Sequence, residues 1–140
     1  MLHLPRTITT PLSLTVTTGT GEADLDAELR YDPSDPFAVS LAIGVDCGEP
    51  VVWTFARDLL AAGVNAASGE GDITIEPDTS DGMLSEERVL RITLATDCLA
   101  TMLASTDRVV EFLVETYAAV PTGAELDRVD LDAEIAALLA

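Results

Sequence analysis

At 140 residues and 48% hydrophobic, the chain is long enough to bury roughly two-thirds of its unfolded surface and too apolar to be disordered. Aromatics are only 4%, so the core is aliphatic, and 25 acidic residues against 7 basic ones, all of them Arg, give a net charge of −18. That surface repels phosphate backbones and anionic membranes alike, which disfavours nucleic-acid binding and direct membrane insertion.

The first elements alternate with a period of two. Ile8, Leu12, Leu14 and Val16 share one parity, and Thr9, Ser13, Thr15 and Thr17 the other. Ala23, Leu25, Ala27, Leu29 and Tyr31 then alternate with Asp24, Asp26, Glu28 and Arg30, and Phe37, Val39, Leu41, Ile43 and Val45 form a third set. These patterns predict antiparallel strands with one face buried. Asp32-Pro33-Ser34-Asp35-Pro36 is a rigid reversal between the second and third strands, since each proline fixes its own φ and pushes its predecessor out of the helical region. After Asp46-Cys47-Gly48-Glu49-Pro50, a further strand carries Val51, Trp53 and Phe55 on one side, which reads as core. A short helix follows, about Ala56 to Ala62, with Gly63 as its stop.

Gly69-Glu70-Gly71-Asp72 reads as a hairpin turn into a strand marked by Ile73 and Ile75. The polar segment from Glu76 to Arg88 reads as a long exposed loop, and Leu90, Ile92 and Leu94 as the returning strand. A weaker apolar stretch, Cys98 to Ala104, adds one more. Ser105 or Thr106 caps a helix with Val109, Val110, Leu113, Val114, Tyr117 and Val120, ended by Pro121-Thr122-Gly123. Asp130 caps a last helix with Leu131, Ile135, Leu138 and Leu139. No internal repeat stands out. The expectation is one α+β domain over residues 1–140, with antiparallel sheets of about six or seven strands and about three helices.

Catalytic constellations are missing from the pattern. Histidine occurs once, at His3 near the terminus, and Ser–His, Cys–His or His-based metal chemistry would have to recruit that residue. Cys47 and Cys98 form no C-x-x-C and read as two small buried thiols, with a disulfide left open but not indicated. Asp78-Thr79-Ser80-Asp81-Gly82 lacks EF-hand spacing, and Gly69-x-Gly71 precedes a strand, not a phosphate-binding helix. Arg57-Asp58 reads as an exposed pair or a helix-start device worth little energy. Met1 to Arg6 lacks a signal-peptide core, and no apolar run approaches the ~20 residues of a membrane span. A cytoplasmic location is expected.

Five blocks remain, in fixed order: Leu29-Arg30-Tyr31-Asp32-x-x-Asp35-Pro36-Phe37-Ala38-Val39, Trp53-Thr54-Phe55-Ala56-Arg57-Asp58-Leu59-Leu60, Gly69-x-Gly71-Asp72, Ala119-Val120-Pro121-x-Gly123-x-Glu125, and Val129-Asp130-Leu131-Asp132. With them the chain resembles the SsgA-like proteins, small sporulation and cell-division regulators of actinomycetes, and most of all their SsgB-type branch. The resemblance implies a non-enzymatic regulator without cofactors or metal, an adaptor that brings the tubulin-like protein FtsZ, itself expected to be acidic, to septum sites with a paralogous SsgA-type protein. It implies a homotrimer and a fold similar to plant Whirly proteins, hence the competing reading of single-stranded nucleic-acid binding, which the charge opposes. Arg30, Tyr31, Asp32, Asp35, Trp53, Arg57 and Asp58 belong to the signature, with a role in folding or in partner binding left open.

Overall fold

A computed structural model describes residues 6–45, 48–78, 88–95 and 99–125. The early alternation becomes a long hairpin, β1 (Ile8–Thr18) with β2 (Gly21–Tyr31), closed by Gly19 and Thr20. The pairs Leu12↔Ala27 and Leu14↔Leu25 line up apolar side chains on one face, while Ser13↔Asp26 and Pro11↔Glu28 put carboxylates on the other. β3 (Ala38–Ile43) and β4 (Val51–Ala56) continue the meander, and α1 (Arg57–Gly63) follows β4 directly. The chain then repeats the plan: β5 (Ser68–Glu70), β6 (Ile73–Pro77), β7 (Val89–Ala95) and β8 (Leu99–Ser105) form a second meander, and α2 (Thr106–Ala119) follows β8.

Antiparallel pairing of β1 with β8 joins the two meanders into one eight-stranded sheet, ordered β4-β3-β2-β1-β8-β7-β6-β5. The registers place Leu14, Leu29, Leu41, Ile75, Ile92 and Met102 on one face, each at 0–1% exposure. Val109, Phe112 and Leu113 of α2 and Leu59 and Leu60 of α1 belong to the same core cluster. The helices cross between halves. α1 follows the first meander but packs on β5 and β6 as well as β4, and α2 follows the second but packs on β1 as well as β8.

The α+β antiparallel architecture is as expected, while the counts and some boundaries differ. The additional strand is β5, whose Ser68-Gly69-Glu70 holds no apolar residue to mark an alternation. Leu99–Ser105 is a full strand, paired along its length with β7. The ββββα plan occurs twice although the sequence shows no repeat, because the halves share topology without sharing residues. Glu76 and Pro77 lie in β6, not in the loop, with Glu76 opposite Arg91 and 3.1 Å from its Nε. Gly63 is the last helical residue and not a left-handed stop, for its φ is not positive. It is needed for close approach: a Cβ there would fall 2.6 Å from Ile75 Cβ and 3.0 Å from the Ile75 carbonyl. Gly71, with φ 60 at the first position of a two-residue loop, is a hairpin turn as expected. His3, Cys47, Cys98, the segment 79–87 and the helix expected from Asp130 lie outside the described residues.

Candidate functional site

Three of the signature residues converge where α1 begins. β4 runs straight into α1, with Ala56 in extended geometry (φ −66, ψ 138) and the Arg57 N–H donating to the Phe37 carbonyl at 2.8 Å. This joint turns the Arg57 side chain into the protein, where it is only 1% exposed. Its Nη1 donates to the carbonyls of Thr116 (3.1 Å) and Val120 (2.8 Å) at the end of α2, the first of which also accepts the Val120 N–H at 2.9 Å. A cation at a helix C-terminus also meets the negative end of the helix dipole. Nη2 donates to Glu125 Oε1 at 3.0 Å, and the second oxygen of Glu125 accepts from the Gly123 N–H at 2.8 Å.

Two aromatic rings face the guanidinium, with centroids 5.1 Å (Tyr31) and 4.0 Å (Tyr117) from Cζ. Each tyrosine is itself tied down, since Tyr31 Oη donates to the Pro36 carbonyl at 3.0 Å and Tyr117 Oη to Asp58 Oδ1 at 3.1 Å. Arg57 Nε alone has no hydrogen-bond acceptor among the described residues. Desolvation, followed by the bond to Asp58 and its charge, pushes the Tyr117 phenol up to about 12. The Glu125 carboxyl is held below its usual value by its own backbone N–H, that of Gly123 and Arg57, against the effect of burial.

This corrects the reading of Arg57-Asp58 as a surface pair. A fully buried arginine is rare, and its partners lie 59 to 68 positions further on, beyond the reach of any local pattern. The one signal was indirect, the block Ala119 to Glu125 that accompanies Arg57 in the signature. The other signature residues lie elsewhere. Asp32 and Asp35 build the double-proline turn: the Asp35 N–H donates to the Asp32 carbonyl at 2.8 Å, and Ser34 donates to Asp32 Oδ1 from its hydroxyl (2.7 Å) and its N–H (2.9 Å). Those two donors hold the Asp32 carboxyl below its usual value. Arg30 lies on the solvent face of β2, 2.7 Å from Glu28.

Trp53 is on the outer strand β4, half-buried against the core. Phe55 is 8% exposed, but Val51, expected beside it in the core, is 60% exposed at the strand's free end. Val109 and Leu113 of α2 are core residues, whereas Val114, on the outer side, is 62% exposed with half-buried Val110 and Tyr117 flanking it. Among the described residues no cluster of three or more His, Cys, Asp or Glu is placed to hold a metal ion, and no helix is long and apolar enough to cross a membrane.

A buried cation whose donors go to two carbonyls and one carboxylate holds a fold together, and it defines a class: a small antiparallel α+β protein whose signature residues lock one helix to the other. The family described as Streptomyces sporulation and cell division protein, SsgA, matches residues 25–125, and the chain belongs to it. The chain is 38% identical over 134 residues to the sporulation-specific cell division protein SsgB of Frankia casuarinae, covering 94% of this chain and 91% of that protein. It is 43% identical over 113 residues to SsgB of Thermobifida fusca, covering 80% and 79%. The crystal structure of an SsgA-like sporulation-specific cell division protein from Thermobifida fusca superposes with a TM-score of 0.83 at 38% identity, covering 97% of this chain and 98% of that one. A structure from work on SsgB mutations that correlate with longitudinal cell division in Streptomyces coelicolor gives 0.78 at 34% identity, covering 91% and 99%.

Proposed function

We propose that this chain is a non-enzymatic adaptor of sporulation-specific cell division, which recruits or positions FtsZ at septum sites together with a paralogous SsgA-type protein. The observation that carries the reading is kinship over most of the chain with proteins named for sporulation-specific cell division. The clamp supports the non-enzymatic part, because the Nη groups of Arg57 bond to backbone carbonyls and to Glu125 in the interior. The adaptor works as a homotrimer in the cytoplasm at division septa. Val110 and exposed Val114 on the outer side of α2 and the uncharged outer strand β4 support self-association. Two ββββα units in tandem support the Whirly-like arrangement.

Single-stranded nucleic-acid binding is the weaker reading. Each described arginine other than Arg6 lies within 4 Å of a carboxylate, at distances from 2.7 Å (Arg30–Glu28) to 3.9 Å (Arg88–Asp107). Phosphate contacts would compete with those pairs on a chain of charge −18.

Titrating labelled FtsZ with this protein across ionic strength tests the adaptor. Two acidic surfaces that meet through apolar patches bind better as salt rises from low to moderate, because screening removes repulsion. No binding at any salt overturns the reading. Binding that weakens steadily with salt keeps the partner and rejects the apolar contact.

A further inference from the structure

β1 spans 11 residues, yet β8 pairs with it only from Thr15 to Thr17. From Leu14 back to Ile8, no strand among the described residues pairs with β1 on that side. The ladder fixes which backbone groups face the gap. The Asp26 carbonyl accepts from the Gly44 N–H at 2.8 Å, so Asp26 and the even-numbered residues of β2 direct their backbone groups away from β1. The odd-numbered residues of β2 therefore bond to β1, and the register pairs them with even-numbered β1 residues. Thr9, Pro11 and Ser13 consequently point their backbone groups into the gap. Proline fits there, having no N–H to leave unpaired, while Thr9 and Ser13 each present a donor and an acceptor.

The gap is a cleft of about 770 Å³, with Pro11 and Ser13 on one wall and Leu103 and Arg108 on the other. Asp26 and Glu28 stand one strand behind the first wall, level with Ser13 and Pro11. Glu28 already holds Arg30 at 2.7 Å, whereas Asp26 makes no ion pair among the described residues.

We propose that this cleft binds an extended peptide segment of another protein, which adds as a strand to the open edge of β1 and lays a lysine or arginine across Ser13 towards Asp26. Strand addition satisfies the unpaired groups of Thr9 and Ser13, and neighbouring strands lie about 4.8 Å apart, so Asp26 is about 10 Å from the guest backbone. A long basic side chain spans that distance over the small Ser13. Arg108 on the far wall repels a uniformly basic tract, so the cleft selects one cation turned towards β2. The outer strands of a second copy, Val51–Ala56 and Ser68–Glu70, do not meet the requirement, because they carry no basic residue. The inference is independent of the FtsZ reading.

The test uses the full chain and a capped, fluorescein-labelled heptapeptide, Val-Thr-Val-Arg-Val-Thr-Val. Fluorescence anisotropy should saturate, and hydrogen exchange at the Thr9 and Ser13 amides should slow when the peptide is added. Replacing the central Arg of the peptide by Glu should weaken binding about tenfold or more, and N-methylating its alternate amides should abolish it. Asp26→Asn should weaken the Arg peptide about threefold and should not weaken the Glu peptide, whose repulsion it relieves. Ser13→Pro, which removes a donor only from the open side, should abolish binding while keeping the melting temperature. If that variant does not fold, the N-methylated peptide on the unaltered chain decides in its place. No saturable binding, equal binding of the Arg and Glu peptides, or unchanged binding after N-methylation overturns the proposal. Slowing of Thr9 and Ser13 exchange with protein concentration alone also overturns it, by giving the edge to a second copy.

Discussion

The first ββββα half and the second are built on the same joint and use it differently. In both, the last strand enters the helix without a loop, through Ala56 (φ −66, ψ 138) in one and Ser105 (φ −65, ψ 121) in the other. In both, the first helical N–H bonds back to the carbonyl just before the neighbouring strand, Arg57 to Phe37 at 2.8 Å and Thr106 to Arg88 at 3.0 Å. The residue at the joint differs, and so does what it holds. α1 has 7 residues, too short to persist without tertiary support, and its Arg57 reaches across to the end of α2. α2 has 14 residues and packs through its own apolar face, so Thr106 has only to fit a buried site. The outer strands differ likewise. β5 has 3 residues and carries Glu70, a protected edge, whereas β4 has 6 uncharged residues, an edge that invites a partner. One backbone plan therefore yields one helix held by a buried side-chain clamp and another held by its own apolar face, each packed across both halves.

The largest test of that asymmetry substitutes the two joint residues. Arg57→Met takes the guanidinium from the Glu125 carboxylate and the Val120 carbonyl, and should cost about 3–5 kcal/mol, or about 10–20 °C in melting temperature. Thr106→Val keeps the volume and loses one hydroxyl, and should cost less, about 1–2 kcal/mol. Equal losses in thermal melts would remove the distinction between the halves. Arg57→Lys should fall nearer to Met than to the native chain, because an ammonium cannot serve carbonyls and carboxylate in one plane.

Gly63→Ala sharpens the account of α1. In an ordinary helix interior alanine gains about 1 kcal/mol over glycine, whereas here contact with Ile75 should turn the sign and cost about 1–3 kcal/mol. Urea denaturation should also find Gly63→Ala partly rescued by Ile75→Ala; a stabilised single variant would show that α1 does not press on β6.

Next comes the outer strand of the first half. Phe55→Ala should cost about 3–5 kcal/mol, but Trp53→Ala only about 1–2, since part of the indole is already in solvent. A loss as large for Trp53 as for Phe55 would place the indole in the core after all.

The smallest effect is confined to alkaline pH. Tyr117 is pushed up to about 12 from an ordinary 10.0, so between those values the folded chain keeps a proton that the unfolded chain has released. Stability should therefore fall as pH rises through that window. Tyr117→Phe should flatten the fall, as read by melting temperature against pH; an unchanged slope would show that this phenol does not couple to folding. Glu125 works on the acid side with the opposite sign. Its lowered value means that stability is lost as pH falls through the folded value, below the ordinary 4.5.

Sequence reading reached the strands through periodicity. Ile8 to Tyr31, Val39 to Ile43 and Leu90 to Leu94 alternate because each strand has one face on the core and one in water, and that constraint is local. The double-proline turn, the helix from Thr106 and the hairpin at Gly71 were legible for the same reason, since φ restriction and helical spacing act within a few residues. β5 was missed because Ser68-Gly69-Glu70 owes its strand geometry to β6 alone. The role of Gly63 was misassigned, because a helix stop and a close approach ask for the same residue and only the position of Ile75 separates them.

By itself, then, the chain determined an acidic, antiparallel α+β protein and the blocks of its family. Only the tertiary structure decided that Arg57 is a core residue, that α1 packs on the second meander, and that β1 parts from β8 after three paired residues. The physical reason is range. Alternation, capping and turn chemistry act over a few residues, whereas a buried charge is tolerable only if its partners, here 59 to 68 positions away, arrive in place.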